Sequence, residues 1–304
     1  MSDPVLVEVS RSGFVEAVHR GRLVAIDAGG GTALAVGDVD APVLLRSCAK
    51  PIQAHAMVGA GLDVPPDQLA LAAASHDGTD AHIDVVRALL AGAGLDEGAL
   101  DNTPALALAP GAAPGEGPRR IRQNCSGKHA AMLATCVANG WPIAGYLDPA
   151  HPVQVAILAT LADLAGEPVA HVAVDGCGAP IAAISLCGLA RAFAHLAGGS
   201  RVADAMRAHP VLVGGDDRDV TKLMVAVPGL IAKDGAEGCY AAALPDGRAV
   251  AVKVDDGAMR ACVPAVVAGL RRLGVDDGTA LAALATAPVL GHGRPVGEVR
   301  CVVS

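Results

Sequence analysis

Short runs of alternating apolar residues open the chain: Val5–Val9, Phe14–Val18, Leu23–Ile26, Ala33–Val36 and Val43–Leu45. Period-two alternation between Gly-containing breaks predicts strands, and Ser12-Gly13, Arg20-Gly21, Gly29-Gly30-Gly31 and Gly37-Asp38 supply those breaks, so this segment is expected to be an antiparallel meander. The triple glycine has no GxGxxG continuation and no helix after it, and so reads as a hairpin turn and not as a phosphate cradle. From about residue 49 to 230 the spacing becomes helical, with helices expected at Leu69–Ala74, His82–Ala93, His129–Asn139, Val153–Ala165, Pro180–Leu196 and Val202–Ala208. The Pro- and Gly-rich stretch Ala109–Pro118 interrupts them as a surface segment. Strand patterns then return at Gly238–Leu244 and Arg248–Val254 around a Pro245-Asp246-Gly247 turn, followed by a helix at Ala258–Leu273 and a last strand at Val296–Val303. Strands at both ends around a helical middle predict an α/β fold. Its antiparallel sheet is built from both chain ends (1–45 and 235–304) and a mainly helical subdomain spans 46–234, all within a single catalytic domain, 1–304.

Composition narrows the function. With 52% hydrophobic and 18% charged residues in 304, the chain is no disordered or fibrous protein. Its 23 basic against 31 acidic residues leave a net charge of −8 without a Lys/Arg stripe, so nucleic acid is not an expected partner. The N-terminus lacks a basic region followed by an apolar run, and no 18-residue apolar stretch occurs; a cytoplasmic protein without membrane contact is expected. Eight cysteines without a CxxC pair then read as reduced thiols, mostly buried. Cys125 and Cys177 stand apart in polar, Gly-rich surroundings.

Five blocks could carry chemistry. In Arg46-Ser47-Cys48-Ala49-Lys50-Pro51, an S-x-x-K spacing puts an amine and a hydroxyl on one face of a helical turn, where a neutral lysine can deprotonate a serine. Ser75-His76-Asp77-Gly78 delivers polar groups at the end of an apolar helix, but residues adjacent in sequence cannot form a Ser-His-Asp relay; a helix cap near residue 81 is the competing reading. Gln123-Asn124-Cys125-Ser126-Gly127-Lys128-His129 crowds a thiol, an amine and an imidazole at a helix start, suited to a thiolate, a bound carboxylate or a metal, and it departs from a P-loop at Arg122 and His129. Asp175-Gly176-Cys177-Gly178 places an acid and a thiol two apart on an extended segment, where the acid could bind an ammonium. Lys253 interrupts an apolar strand, as a solvated edge residue or as a functional amine.

Taken together, RSCAKP, SHDGTDAH, NCSGKHAAML, DGCGAP and AVKVDDG resemble, in order and over nearly the whole chain, the signature blocks of the asparaginase II family, the Rhizobium etli-type L-asparaginases. The resemblance implies a fold like those of serine-dependent glutaminases and class A β-lactamases, and hydrolysis of L-asparagine to L-aspartate and ammonia. It implies two Ser-Lys pairs, Ser47 with Lys50 and Ser75 with Lys253, as catalytic groups. It further implies a zinc ion on Cys125, Lys128 and Cys177, dispensable for the Ser-Lys chemistry, and substrate contacts from Arg46, His129 and Asp175. Ser47 is the expected nucleophile, with Cys48 beside it as a rival. A homodimer is the default assembly. The alternatives are a glutaminase or other small-amide hydrolase, and a zinc-dependent amino-acid-binding protein without catalysis.

Overall fold

A computed structural model of the chain describes residues 2–276 and 278–303. Its strands are β1 (Val5–Arg11), β2 (Phe14–Ile26), β3 (Thr32–Val36), β4 (Pro42–Leu44), β5 (His171–Val174), β6 (Pro180–Ser185), β7 (Ile231–Gly235), β8 (Cys239–Ala243), β9 (Ala249–Val254), β10 (Thr286–Gly291) and β11 (Arg294–Cys301). The helices are α1 (Lys50–Gly59), α2 (Pro66–Ala72), α3 (Asp80–Gly92), α4 (Ser126–Ala138), α5 (Pro152–Ala165), α6 (Leu186–Ala197), α7 (Arg201–Ala208), α8 (Pro210–Val213), α9 (Asp219–Ala226), α10 (Cys262–Arg272) and α11 (Thr279–Ala282). They form two compact units: a sheet unit of Met1–Cys48, Ile184–Gly198 and Lys222–Ser304, and a helical unit of Ala49–Ala183 and Gly199–Thr221.

The sheet unit carries an antiparallel sheet in the order β10-β11-β1-β2-β9-β8-β7, with β3 paired to β2. Both ends of the chain contribute strands, as the patterning predicts. The two bursts expected at Phe14–Val18 and Leu23–Ile26 are one continuous strand, because Arg20-Gly21 is no turn. Gly21 stays in the ladder opposite Val254, and a Cβ on it would lie 2.2 Å from the Lys253 carbonyl oxygen. Glycine is present for that close approach and not for a reversal of the chain. α6 and α10 cover the sheet on β8, β9 and β2.

The expected helix Pro180–Leu196 divides. Its first part is β6, paired antiparallel with β5, and only from Leu186 is it helical, with Ser185 Oγ accepting the Gly188 N–H at 2.8 Å as its cap. All six residues of β6 are buried, so the segment shows no alternation, and a fully buried strand cannot be told from a helix by periodicity. α6 and residues 222–234 group with the sheet and not with the helices, which shifts the boundaries expected at 46 and 234. β7, α9 and β10 arise where no element was anticipated.

In the helical unit, α2 packs between α3, α4 and α7. The approach of α4 to α2 depends on Gly127, where a Cβ would sit 2.6 Å from the Leu71 carbonyl oxygen. The main chain of α2 cannot yield there, so Gly127→Ala is expected to push the first turn of α4 away and to destabilise the fold by about 2 kcal/mol. Scanning calorimetry should then show Tm lowered by roughly 3 °C; an unchanged Tm would show that the two helices have slack at this contact.

Candidate active site

Arg46 adopts φ of 50°, a left-handed conformation that costs a non-glycine residue about 1 kcal/mol or more. It turns the chain into a 3-10 turn, Arg46–Ala49, which runs directly into α1 at Lys50. Pro51 lies in the first turn of α1, where its missing N–H costs nothing. Lys50 is only 1% exposed. Its Nζ donates to the Ala74 carbonyl at 2.7 Å and to Ser75 Oγ at 2.9 Å, and lies 3.4 Å from the Asn124 carbonyl.

Ser75 follows the buried end of α2, and its N–H donates to the Val213 carbonyl at 3.0 Å. The neighbouring His76 does not act as a base toward it. His76 Nδ1 accepts the Gly78 N–H at 3.1 Å, so the ring hydrogen sits on Nε2 and is given to Ser126 Oγ at 2.9 Å, which in turn donates to the Ile121 carbonyl. Burial, and then the charges of His82 and Lys50, hold His76 well below the usual histidine range. Asp77 pairs with Arg218 at 3.0 Å. The block thus holds the loop in place around one available hydroxyl.

The entry to α4 and the β5–β6 connection bring Cys125, Lys128 and Cys177 into one buried cluster with Ala179. Lys128 Nζ donates to Cys177 Sγ at 3.3 Å, and Cys177 Sγ lies 3.8 Å from Asp175 Oδ2. The hydrogen bond from Cys177 draws the Cys125 thiol well below its ordinary pKa against the opposing effect of burial, with the charges of Lys50 and Lys128 adding to it. The same bond, with burial, pushes Cys177 up. Of the two sulfurs, Cys125 is the one drawn toward the thiolate. Burial opposes the Lys128 ammonium, but the charges of Cys177 and Cys125 outweigh it and raise its pKa. His129 is fully buried: Tyr146 OH lies 2.8 Å from its Nδ1, and its Nε2 has no hydrogen-bond partner among the described residues. Burial, then the charges of Lys128, Lys50 and Arg120, keep its ring neutral.

On the sheet unit, Ser47 is half-buried and Arg46 lies 3.7 Å from Glu237. Cys48 donates to the Lys233 carbonyl, and burial followed by its contact with Cys239 raises its pKa well above the ordinary value. That disfavours the thiolate and with it Cys48 as a rival nucleophile. Lys253 is half-buried, and its ammonium donates to the carbonyls of Glu237 at 2.7 Å and Val254 at 2.6 Å.

Among the anticipated groups, then, the helical unit brings Lys50 to Ser75, and Cys125 and Lys128 to Cys177 and Asp175. Two residues went unnoticed in the sequence. Lys233 is 0% exposed in β7 and bonds the Asp234 carboxylate; its signal was a Lys-Asp pair following apolar Leu230-Ile231-Ala232, the same kind of interruption that drew attention to Lys253. Tyr146 sits in a Gly-rich loop with no periodicity to mark it.

The chain matches the L-asparaginase II family from residue 7 to residue 301. It is a member of that family. No curated protein matches it in sequence. Among solved structures it is similar to a β-lactamase from Mycobacterium bovis, at 17% identity and a TM-score of 0.42 over 78% of this chain and 88% of that one. It is also similar to Mglu in its tris and glutamate form, at 17% identity and a TM-score of 0.46 over 91% of this chain and 64% of that one. Native Mglu gives 15% identity and a TM-score of 0.43, over 88% and 63%.

Membership of the L-asparaginase II family supports amide hydrolysis. The zinc expected from the family resemblance meets two sulfurs and one amine nitrogen in a single buried cluster; the thiolates fit the ion through their softness, and the Lys128 ammonium would have to give up a proton to offer its lone pair. Among the described residues no group of three or more His, Cys, Asp or Glu side chains is placed to hold a metal, so the amine is essential to that set. No helix among the described residues is long and apolar enough to cross a membrane.

The Cys125 thiolate is directly testable. Ultraviolet thiolate absorbance of the metal-free protein should show one cysteine ionised well below the ordinary thiol range. Cys177→Ala removes the stabilising donor and Cys125→Ser removes the sulfur, so either variant should abolish that early step, whereas Cys136→Ala should leave it in place.

Proposed function

We propose that this L-asparaginase II family member hydrolyses the side-chain amide of L-asparagine to L-aspartate and ammonia by Ser-Lys acyl transfer. The observation that carries the reading is the amine of Lys50, removed from solvent and 2.9 Å from Ser75 Oγ. In its uncharged form a lysine amine is a base strong enough to activate an alcohol.

Ser47 stands three residues ahead of Lys50 in the turn that starts α1, the spacing that puts hydroxyl and amine on one helical face. Its Oγ attacks the amide carbon while Lys50 takes its hydrogen. The C–N bond then breaks, and the nitrogen leaves as ammonia with a proton passed from Lys50 through Ser75. Water next attacks the Ser47 ester, giving its proton to the same pair, and L-aspartate departs as Ser47 regains its hydrogen. Ser75 is here assigned to Lys50, whose amine donates to its Oγ. Asp175 offers a carboxylate to the α-ammonium, and Arg46 and His129 offer N–H donors to the α-carboxylate.

Cys125, Lys128 and Cys177 would hold zinc, which when bound supplies a fixed positive charge and a structural tie between α4 and the β5–β6 connection. The reaction above uses only the protein's own hydroxyls and amine.

Ammonia release from a panel of amides by wild type and variants tests this reading. Ser47→Ala and Lys50→Ala are each expected to lower kcat by about 10³-fold or more, and Ser75→Ala by about 10²-fold, the range for loss of a positioned proton-transfer group. L-Asparagine should be the preferred amide over L-glutamine. Near-normal turnover by Ser47→Ala would remove it as nucleophile, and no ammonia from any amide would overturn the hydrolase reading. Zinc retained after dialysis, measured by atomic absorption, should fall from one per chain to none in Cys177→Ser.

A further inference from the structure

His129 and Tyr146 form a pair whose chemistry the reaction scheme leaves unused. Tyr146 is buried, and its hydroxyl oxygen accepts the Asp101 N–H at 3.0 Å. The hydroxyl hydrogen is therefore free to point at His129 Nδ1, 2.8 Å away. The two rings meet edge to face, with centroids 5.6 Å apart and planes at 80°. Gln154 Nε2 donates to the Tyr146 carbonyl at 2.7 Å, so the loop carrying the phenol is anchored to α5 as well. With Nδ1 accepting, the hydrogen of a neutral imidazole lies on Nε2; in an imidazolium Nε2 carries one too. Either way a buried N–H donor remains unmatched among the described residues.

A buried donor without an acceptor costs about 1–3 kcal/mol, a cost native proteins accept chiefly where a ligand completes the bond. Lys50, Lys128 and Arg120 all act electrostatically on this ring. The charges of Lys128 and Arg120 favour an anionic acceptor over a neutral one.

We infer that Tyr146 is a positioning residue for substrate recognition: its hydroxyl holds the His129 hydrogen on Nε2 and aims that N–H at a carboxylate oxygen of an amino-acid substrate. The inference deepens the hydrolase reading and rests on it for the identity of the substrate, but the tautomer and its cause are properties of the protein alone. The phenol touches no substrate. It acts by removing the alternative in which the imidazole hydrogen turns toward the Asp101 loop and leaves a lone pair facing the carboxylate.

Nitrogen-15 NMR of histidine-labelled protein, followed by kinetics on L-asparagine, tests it. Wild type should show His129 with hydrogen on Nε2, and Tyr146→Phe should show a mixture of tautomers. Tyr146→Phe should raise KM about tenfold and leave kcat within about twofold, as expected for weakening one hydrogen bond to a charged group. His129→Gln, whose amide N–H can replace Nε2, should keep KM within about fivefold of wild type. His129→Asn, which reaches only the Nδ1 position, should raise it about 50-fold. An Nδ1–H tautomer in wild type overturns the proposal, as does an unchanged KM in folded Tyr146→Phe, or equal effects of the Gln and Asn substitutions. Should wild type release no ammonia, the hydrolase reading fails by itself. The calorimetric affinity for L-aspartate then takes the place of KM, with the same ordering of variants expected and the same reversals overturning the inference.

Discussion

Burial of lysine amines governs this structure. Lys50, Lys128 and Lys233 are each within 1% of complete burial, and an ammonium taken out of water without partners is far too costly to persist. Each solves the problem differently, and the difference assigns its chemistry. Lys233 bonds the Asp234 carboxylate and its carbonyl, a paired charge. Lys128 donates to a thiol whose neighbour is drawn toward the thiolate, so its charge is balanced by sulfur. Lys50 donates to a main-chain carbonyl and to a serine hydroxyl, with the Cys125 sulfur close by. Of the three, the amine that holds a serine hydroxyl is the one best placed to act as a base.

The thiol cluster is stabilised by the same arithmetic. A lone thiolate at Cys125 would be penalised by its burial, yet the S–H of Cys177 and two nearby cations reverse the balance. Burial, and after it the charge of Lys128, holds His129 well below the usual histidine range. The helical unit thus keeps its buried histidines neutral, His76 included. The His76 ring is oriented by the hydrogen bond it accepts from Gly78, and the His129 ring by its contact with the Tyr146 hydroxyl.

The sequence disclosed most where one face of an element meets solvent. β1, β3 and β11 were visible from alternation, β8 and β9, although buried, from the Pro245-Asp246-Gly247 turn between them, and the blocks around Lys50, Ser75, Cys125 and Cys177 stood out as polar clusters at the ends of apolar runs. It disclosed least where burial erases pattern. β6 and β7 are buried along their whole length, so no polar face marks their period, and β7 hid Lys233 within it. Gly21 looked like a break because glycine usually is one; only the opposed strand shows that it is needed for contact. The Lys50–Ser75 contact spans 25 residues and depends on how α1 meets the end of α2, which spacing cannot express. Tyr146 carries no local signal at all, since its part depends wholly on a histidine 17 residues away.

What makes Ser75 usable is the stiffness of the loop that bears it. Each of the residues from 75 to 78 is tied to a different segment: Ser75 N–H to Val213, His76 N–H to Asn124 and its ring to Ser126, Asp77 to Arg218, and the Gly78 carbonyl to Arg122. The segment after α8 lies so close to Asp77 that a Cβ on Gly215 would fall 1.9 Å from its carboxylate oxygen. A hydroxyl fixed this way loses little entropy when a proton must pass through it, because its orientation is set during folding and not at each turnover. That explains why a Ser-His-Asp sequence with no triad geometry still belongs to the site: His76 and Asp77 hold the loop so that Ser75 meets Lys50.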